Sequence, residues 1–257
     1  MNGRVLDGTA YEAQPSPSTD EQHGSVTNIL RRQRLNWAYY GLVTEACQGR
    51  NRSWEHGSMQ ATERLYYDRR AAEYDDWYLG KGQFARRVRP GWAEELATLK
   101  TVLASLRFNS FLDVACGTGF LTESLRGSIT GLDQSSSMLA VARERIPDGA
   151  FLQGDALQMP FPSKQFDCLV TGHFYGHLDE PARRLFLGEA RRVSKSILII
   201  DAAKRDDVPP EEYQERVLND GSRHVVYKRY FTPPDLVAEI GTGVTLHAGL
   251  WFVAVLG

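Results

Sequence analysis

Three aspartates and two glycines in the middle of the chain have the types and spacing to grip a nucleotide-like ligand. Gly117 and Gly119 close the stretch Phe111-Leu112-Asp113-Val114-Ala115-Cys116-Gly117-Thr118-Gly119-Phe120, and Asp113 lies inside its apolar part. Asp133 closes Gly131-Leu132-Asp133-Gln134-Ser135, and Asp155 follows Gly154. A strand that ends in glycines brings bare backbone amides up to a ligand. The dinucleotide fingerprint requires a third glycine, but Phe120, Leu121 and Thr122 follow Gly119 instead. A phosphate loop requires Gly-Lys-Ser/Thr, and no lysine stands there. At a strand end, Asp133 is suited to accept two hydrogen bonds from a ribose diol. Asp155 is suited to accept from the exocyclic amine of adenine, with Ala156 and Leu157 completing the slot. Either acid alone is also an ordinary turn former. It is the set of three acids with the glycine turn that points to a ligand.

The elements that must position these residues alternate. Trp92, Leu96, Leu99, Leu103 and Leu106 recur at helical spacing over Gly91 to Leu106. Phe111 to Ala115 reads as the first strand, with a helix expected from about Phe120 to Leu125. Ile129 to Asp133 is the second strand, followed by a helix capped by Ser135 and carried by Met138, Leu139 and Ala142. A short third strand covers Phe151 and Leu152, and a fourth spans Phe166 to Thr171. Asp179 caps the next helix, through Leu185, Phe186 and Val193. Ile197 to Ile200 is a fully buried fifth strand. Thr232 with Pro233 opens a helix that stops at Gly241. Val244 to His247 and Trp251 to Val255 form a closing antiparallel hairpin. The expected fold is α/β: a doubly wound, mostly parallel seven-stranded sheet with helices on both faces. Its ligand crevice lies at the carboxyl ends of the strands, where the three acids converge.

Asp-x-Ala-Cys-Gly-Thr-Gly, with Asp133 and Asp155 in order and spacing, resembles the motifs of the class I, Rossmann-like S-adenosylmethionine-dependent methyltransferases. The likeness is to the small-molecule type, with a methyltransferase type 11/25-like domain, and covers roughly Tyr66 to the C-terminus. It implies that Gly117 and Gly119 approach the methionine part of S-adenosylmethionine, with Asp113, Ala115, Gln134 and Thr171 also beside the cofactor. Asp133 would hold the ribose, and Asp155 with Ala156 the adenine. Ala115 replaces a glycine that many relatives carry. Tyr67 resembles an aromatic that covers the methionine carboxylate, with Tyr74 as second choice. After the fourth strand, Thr171-Gly172-His173-Phe174-Tyr175-Gly176-His177 occupies the place of acceptor-facing residues, and His173 is the candidate catalytic base. The competing reading has Tyr67 in the core and both histidines merely packed. Transfer from a sulfonium is an in-line displacement that positioning alone can accelerate, so a base is not required.

The remaining signals narrow the partners. A net charge of -2 gives no global reason to expect nucleic acid or an anionic membrane. The six histidines show no metal-ligand spacing, so no metal is expected. Cys47, Cys116 and Cys168 suit free thiols in the cytoplasm. The charged connection Lys204 to Arg229 reads as a solvated helical insert, and Arg86, Arg87 and Arg89 as a solvated basic cluster. Residues 1–58 read as an N-terminal extension, with a linker at Pro15 to Thr19, a ragged helix from Ser25 to Val43 and a loop at Gln48 to Ser53. The methyltransferase domain is expected over 59–257, its cofactor-binding core at about 109–202. The Gly57-Ser58-Met59 junction reads equally as a fusion scar, an in-frame start or native sequence. A small-molecule acceptor is expected, through oxygen, nitrogen or carbon, and a homodimer is compatible with the sequence. The rival is a cofactor-binding protein without turnover that serves another subunit.

Overall fold

The structure is a computed structural model that describes residues 57–257, with side chains from Arg64 onward. The linker, helix and loop expected before Gly57 lie outside the described residues. Helix α1 (Gly57–Arg70) runs unbroken through the expected 58/59 boundary. A 3-10 turn (Ala71–Glu73) and the single-turn α2 (Asp76–Leu79) follow, then α3 (Trp92–Ser105). The buried face of α3 is Trp92, Leu96, Leu99 and Leu103, the set that helical spacing selects.

Seven strands form the main sheet: β1 (Ser110–Val114), β2 (Ser128–Asp133), β3 (Ala150–Gln153), β4 (Phe166–Gly172), β5 (Ser194–Ala202), β8 (Val244–Ala248) and β9 (Phe252–Leu256). Their order is β3-β2-β1-β4-β5-β9-β8. The first five are mutually parallel, and β9 runs antiparallel to β5 and β8. Chain direction across the sheet reverses between β1 and β4, which opens a crevice beyond their carboxyl ends. Helices α4 (Ser136–Arg145), α5 (Glu180–Val193) and α6 (Pro233–Ile240) start at the residues their caps select. The Ser135, Asp179 and Thr232 side chains accept from Met138 N, Ala182 N and Asp235 N. Burial of β5 from Ile197 to Ile200 matches the unbroken apolar run.

Two elements differ from expectation. After the glycine turn there is only a 3-10 turn, Thr122–Ser124, in place of an α-helix. Residues 120–127 must return along a six-residue strand, about 20 Å long. As an α-helix they would rise only about 12 Å, so the chain adopts a tighter turn and extended backbone instead. The connection after β5 is not helical either. It forms an antiparallel hairpin, β6 (Glu211–Val217) with β7 (Arg223–Arg229), outside the main sheet. Asn219-Asp220-Gly221 makes the turn, with Gly221 at φ 81°, a left-handed conformation open to glycine. The heavy charge of Glu211 to Arg216 hides a strand alternation, half-buried at every second residue.

The hairpin is tied down by a buried ion pair. Lys228 Nζ lies 2.5 Å from Asp201 Oδ1, and Asp201 sits fully buried at the end of β5. Gly176 N and Ala202 N also donate to that carboxylate, at 2.7 Å each. Burial opposes ionisation of Asp201, but the adjacent Lys228 ammonium holds its carboxyl below the usual range. Beside it, Glu95 of α3 accepts from Trp251 N at 3.0 Å and Phe252 N at 2.7 Å, fixing the β8–β9 turn.

Candidate functional site

A cleft opens at the carboxyl ends of β1, β2 and β4, where ligands bind in doubly wound sheets. Gly117 and Ala115 form part of its floor, Asp133 and Gln134 one wall, and Gly154 and Ala156 the far end. Asp133 does two structural jobs there. Its Oδ2 accepts from Gly117 N at 2.8 Å, and its Oδ1 from Ser135 N at 2.9 Å. The carboxylate therefore fixes the glycine turn against β2 and the start of α4. Each oxygen keeps a second lone-pair direction for a hydroxyl. Burial raises the Asp133 pKa, against the backbone donors that lower it.

The other expected residues divide. Tyr67 and Tyr74 both border the cleft. It is Tyr74 that covers the turn: its ring carbon lies 3.6 Å from where a Cβ on Gly117 would stand. Gly119 does not border the cleft; its α-carbon faces Ala142 of α4 and Ile146 just after it, and its φ of 74° suits glycine. Asp155 is not in the lining, although both its neighbours are; its Oδ1 accepts from Leu157 N at 2.8 Å. Thr171 is also absent from it, being fully buried with its hydroxyl donating to Val114 O at 2.8 Å. Here a strand residue satisfies its polar group across the sheet, because its side chain points into the core. Asp113 borders an adjoining recess that shares Tyr74, Ala115 and Gly172 with the cleft. Burial pushes its pKa up to about 7, although the Thr122 hydroxyl donates to Oδ2.

Ala115 has φ 57°, a left-handed conformation that strains any residue with a Cβ. His173 shares this strain, also at φ 57°. Its ring is packed against Trp77 at 4.8 Å and Phe252 at 5.3 Å, and its Nε2 is buried without a hydrogen-bond partner. Burial pushes the pKa of His173 down to about 3. His177 is likewise pushed to about 3 by burial, and its Nδ1 lies 2.6 Å from Tyr227 O of the hairpin. Both rings border the cleft, beside Phe174, Leu178 and Val226. The side chains beside these two neutral imidazoles are apolar, and Arg64 is also among the cleft's lining residues.

Sequence reasoning missed the fastenings of this site. Ser135 Oγ donates to Asp68 Oδ1 at 2.6 Å, and Thr118 Oγ1 to Asp75 Oδ1 at 2.6 Å. Arg145 of α4 bridges Asp75 and the Thr118 carbonyl. The two acids in Tyr66-Tyr67-Asp68-Arg69-Arg70-Ala71-Ala72-Glu73-Tyr74-Asp75 thus clamp that segment across the glycine turn. Their seven-residue spacing, two helical turns, was the available signal. Nothing local marks Lys228 and Asp201 as partners, 27 residues apart. Among the described residues no group of histidine, cysteine and acidic side chains is arranged to hold a metal ion. No helix among them is long and apolar enough to cross a membrane.

Comparison with known proteins gives a consistent result. Residues 112–199 match the family profile described as a methyltransferase domain. The demethylmenaquinone methyltransferase of Thermotoga maritima is 42% identical over 89 residues, covering 33% of this chain and 38% of that protein. A fatty-acid O-methyltransferase of Mycolicibacterium smegmatis is 34% identical over 131 residues, covering 46% of this chain and 45% of the relative. The chain thus spans less than half the length of these two curated relatives. Among solved structures, a DhpI–SAM–HEP complex superposes with a TM-score of 0.61 at 22% identity, over 80% of this chain and all of that one. A DhpI–SAH complex gives 0.58 at 24% identity, over 79% and 97%. At such identities the superpositions speak for the fold alone. The matched segment shows that residues 112–199 resemble a methyltransferase domain, and the superpositions show that the sheet and its helices follow a Rossmann-like fold.

Proposed function

We propose that this protein transfers a methyl group from S-adenosylmethionine to a small-molecule acceptor. The observation that carries the reading is Asp133, a half-buried carboxylate at the cleft wall whose two oxygens already order the glycine turn and the start of α4. Its remaining lone pairs are suited to a ribose diol, and the Gly154–Ala156 end to adenine. Tyr74 would cover the methionine moiety over Gly117, and Asp113 in the adjoining recess would meet its ammonium group. When bound, the cofactor supplies an activated methyl group on a sulfonium.

The chain's own task is then to orient an acceptor and exclude water. We assign the acceptor to the apolar end beside Phe174, Leu178 and Val226. With a pKa near 3 and its Nε2 buried, His173 is a weak proton acceptor, so its part is to shape the acceptor end as a packed neutral ring. An acceptor that arrives ionised, such as a carboxylate, needs no base at all. The apolar cleft end suits an acceptor of that kind with a hydrocarbon body, in keeping with the fatty-acid O-methyltransferase among the relatives.

Calorimetric titration with S-adenosylmethionine and S-adenosylhomocysteine, on wild type and Asp133→Asn, tests this. Loss of two charge-assisted hydrogen bonds weakens binding by about 3 kcal/mol, or roughly 100-fold. No binding by folded wild type sinks the proposal. Binding without S-adenosylhomocysteine formation across acceptor classes favours a cofactor-binding protein that has lost turnover.

A further inference from the structure

A second cavity lies away from the cofactor cleft, and its charge is unbalanced. Helix α1 contributes Tyr66 and Arg70, the loop after α2 contributes Gln83 and Arg87, and β6 contributes Glu215 and Arg216. The walls are fastened to one another: Gln83 Nε2 donates to Val217 O at 2.7 Å, and Asn219 N to Glu73 Oε2 at 2.9 Å. Three arginines therefore border one open recess. The single carboxylate among them, Glu215, is turned to Arg223 at 2.9 Å.

Among the described residues none of the three arginines has a carboxylate partner. Arg70 donates to the Tyr66 hydroxyl at 2.6 Å and stacks over the Tyr74 ring at 4.8 Å. Arg87 lies over the Phe84 ring at 4.9 Å. Arg216 donates to the Gln214 side chain, while its Nε is buried with no partner. Burial first, and the Arg70 charge second, lower the Arg216 pKa. A half-buried guanidinium with an unused donor beside two like charges is unfavourable unless an anion joins them. The planar fork of arginine matches the oxygens of a phosphate, and three forks suit a dianion better than a carboxylate.

We propose that this cavity binds a phosphate group, free or as part of a larger metabolite, through Arg70, Arg87 and Arg216. The site is independent of methyl transfer. It touches the cofactor cleft through Arg70, whose Tyr74 partner covers the glycine turn.

The test is calorimetric titration of the full chain with inorganic phosphate and with glycerol phosphate, at constant ionic strength balanced by chloride. Wild type, Arg216→Gln and Arg87→Gln are compared, with circular dichroism confirming the fold of each. Saturable binding of either anion is expected, weakened at least tenfold in both variants. Phosphate alone binding marks a free-anion site, and equal binding of the ester marks the phosphate of a larger molecule. Arg87 is exposed, so Arg87→Gln decides the matter if Arg216→Gln does not fold. No saturation of wild type below roughly 10 mM with either anion overturns the proposal, as does equal affinity in wild type and the folded variants.

Discussion

Asp113→Asn isolates the electrostatics of the glycine-turn strand. The wild-type carboxyl is 4% exposed, and burial raises its pKa from 3.8 to about 7. Between these values the folded protein holds a proton that the unfolded chain has released. The neutral form's contribution to stability is therefore complete below pH 4 and is lost as pH rises through about 7. Integrating the two titrations gives a loss of about 2 kcal/mol between roughly pH 5.5 and pH 8. Asparagine cannot ionise and escapes that loss, and Thr122 can still pair with it. His173 and His177 act on the other limb: burial lowers both to about 3, so their contribution is lost as pH falls below 6.5. They are present in both proteins and cancel in the difference. Urea unfolding of wild type and Asp113→Asn at the two pH values reads the effect. The variant should gain about 2 kcal/mol on wild type in going from the lower pH to the higher. An unchanged difference would refute the reasoning, because Asp113 would then be ionised throughout.

Two further perturbations probe backbone and packing. Ala115→Gly removes left-handed strain at φ 57°, partly offset by the greater freedom of glycine when unfolded. A gain of about 0.5 kcal/mol in urea unfolding is expected, and a loss above about 1 kcal/mol would mean that the Ala115 methyl group matters for packing. Glu95→Ala leaves the amides of Leu250, Trp251 and Phe252 without their shared acceptor. It should destabilise the protein by about 2–4 kcal/mol, checked by the unfolding midpoint at unchanged denaturant slope.

What the sequence determined by itself was whatever is encoded locally. Hydrophobic period separated the α3 face from the buried β5 run, and Ser135, Asp179 and Thr232 announced helix starts because caps act within three residues. The strand–glycine–acid pattern located the cleft, since a doubly wound sheet brings successive strand ends to one edge. Tertiary structure alone decided the rest. Strand length left no room for a helix after Phe120, and chain reversal at Asp220-Gly221 turned a charged insert into a hairpin. Packing put Thr171 and Gly119 out of the cleft and set Tyr74, not Tyr67, over Gly117. The pairing of Asp201 with Lys228, the neutral state of His173, and the meeting of Arg70, Arg87 and Arg216 depend on distance and burial between segments far apart in the chain. Charge interactions and desolvation act through space, and no local pattern of residues records them.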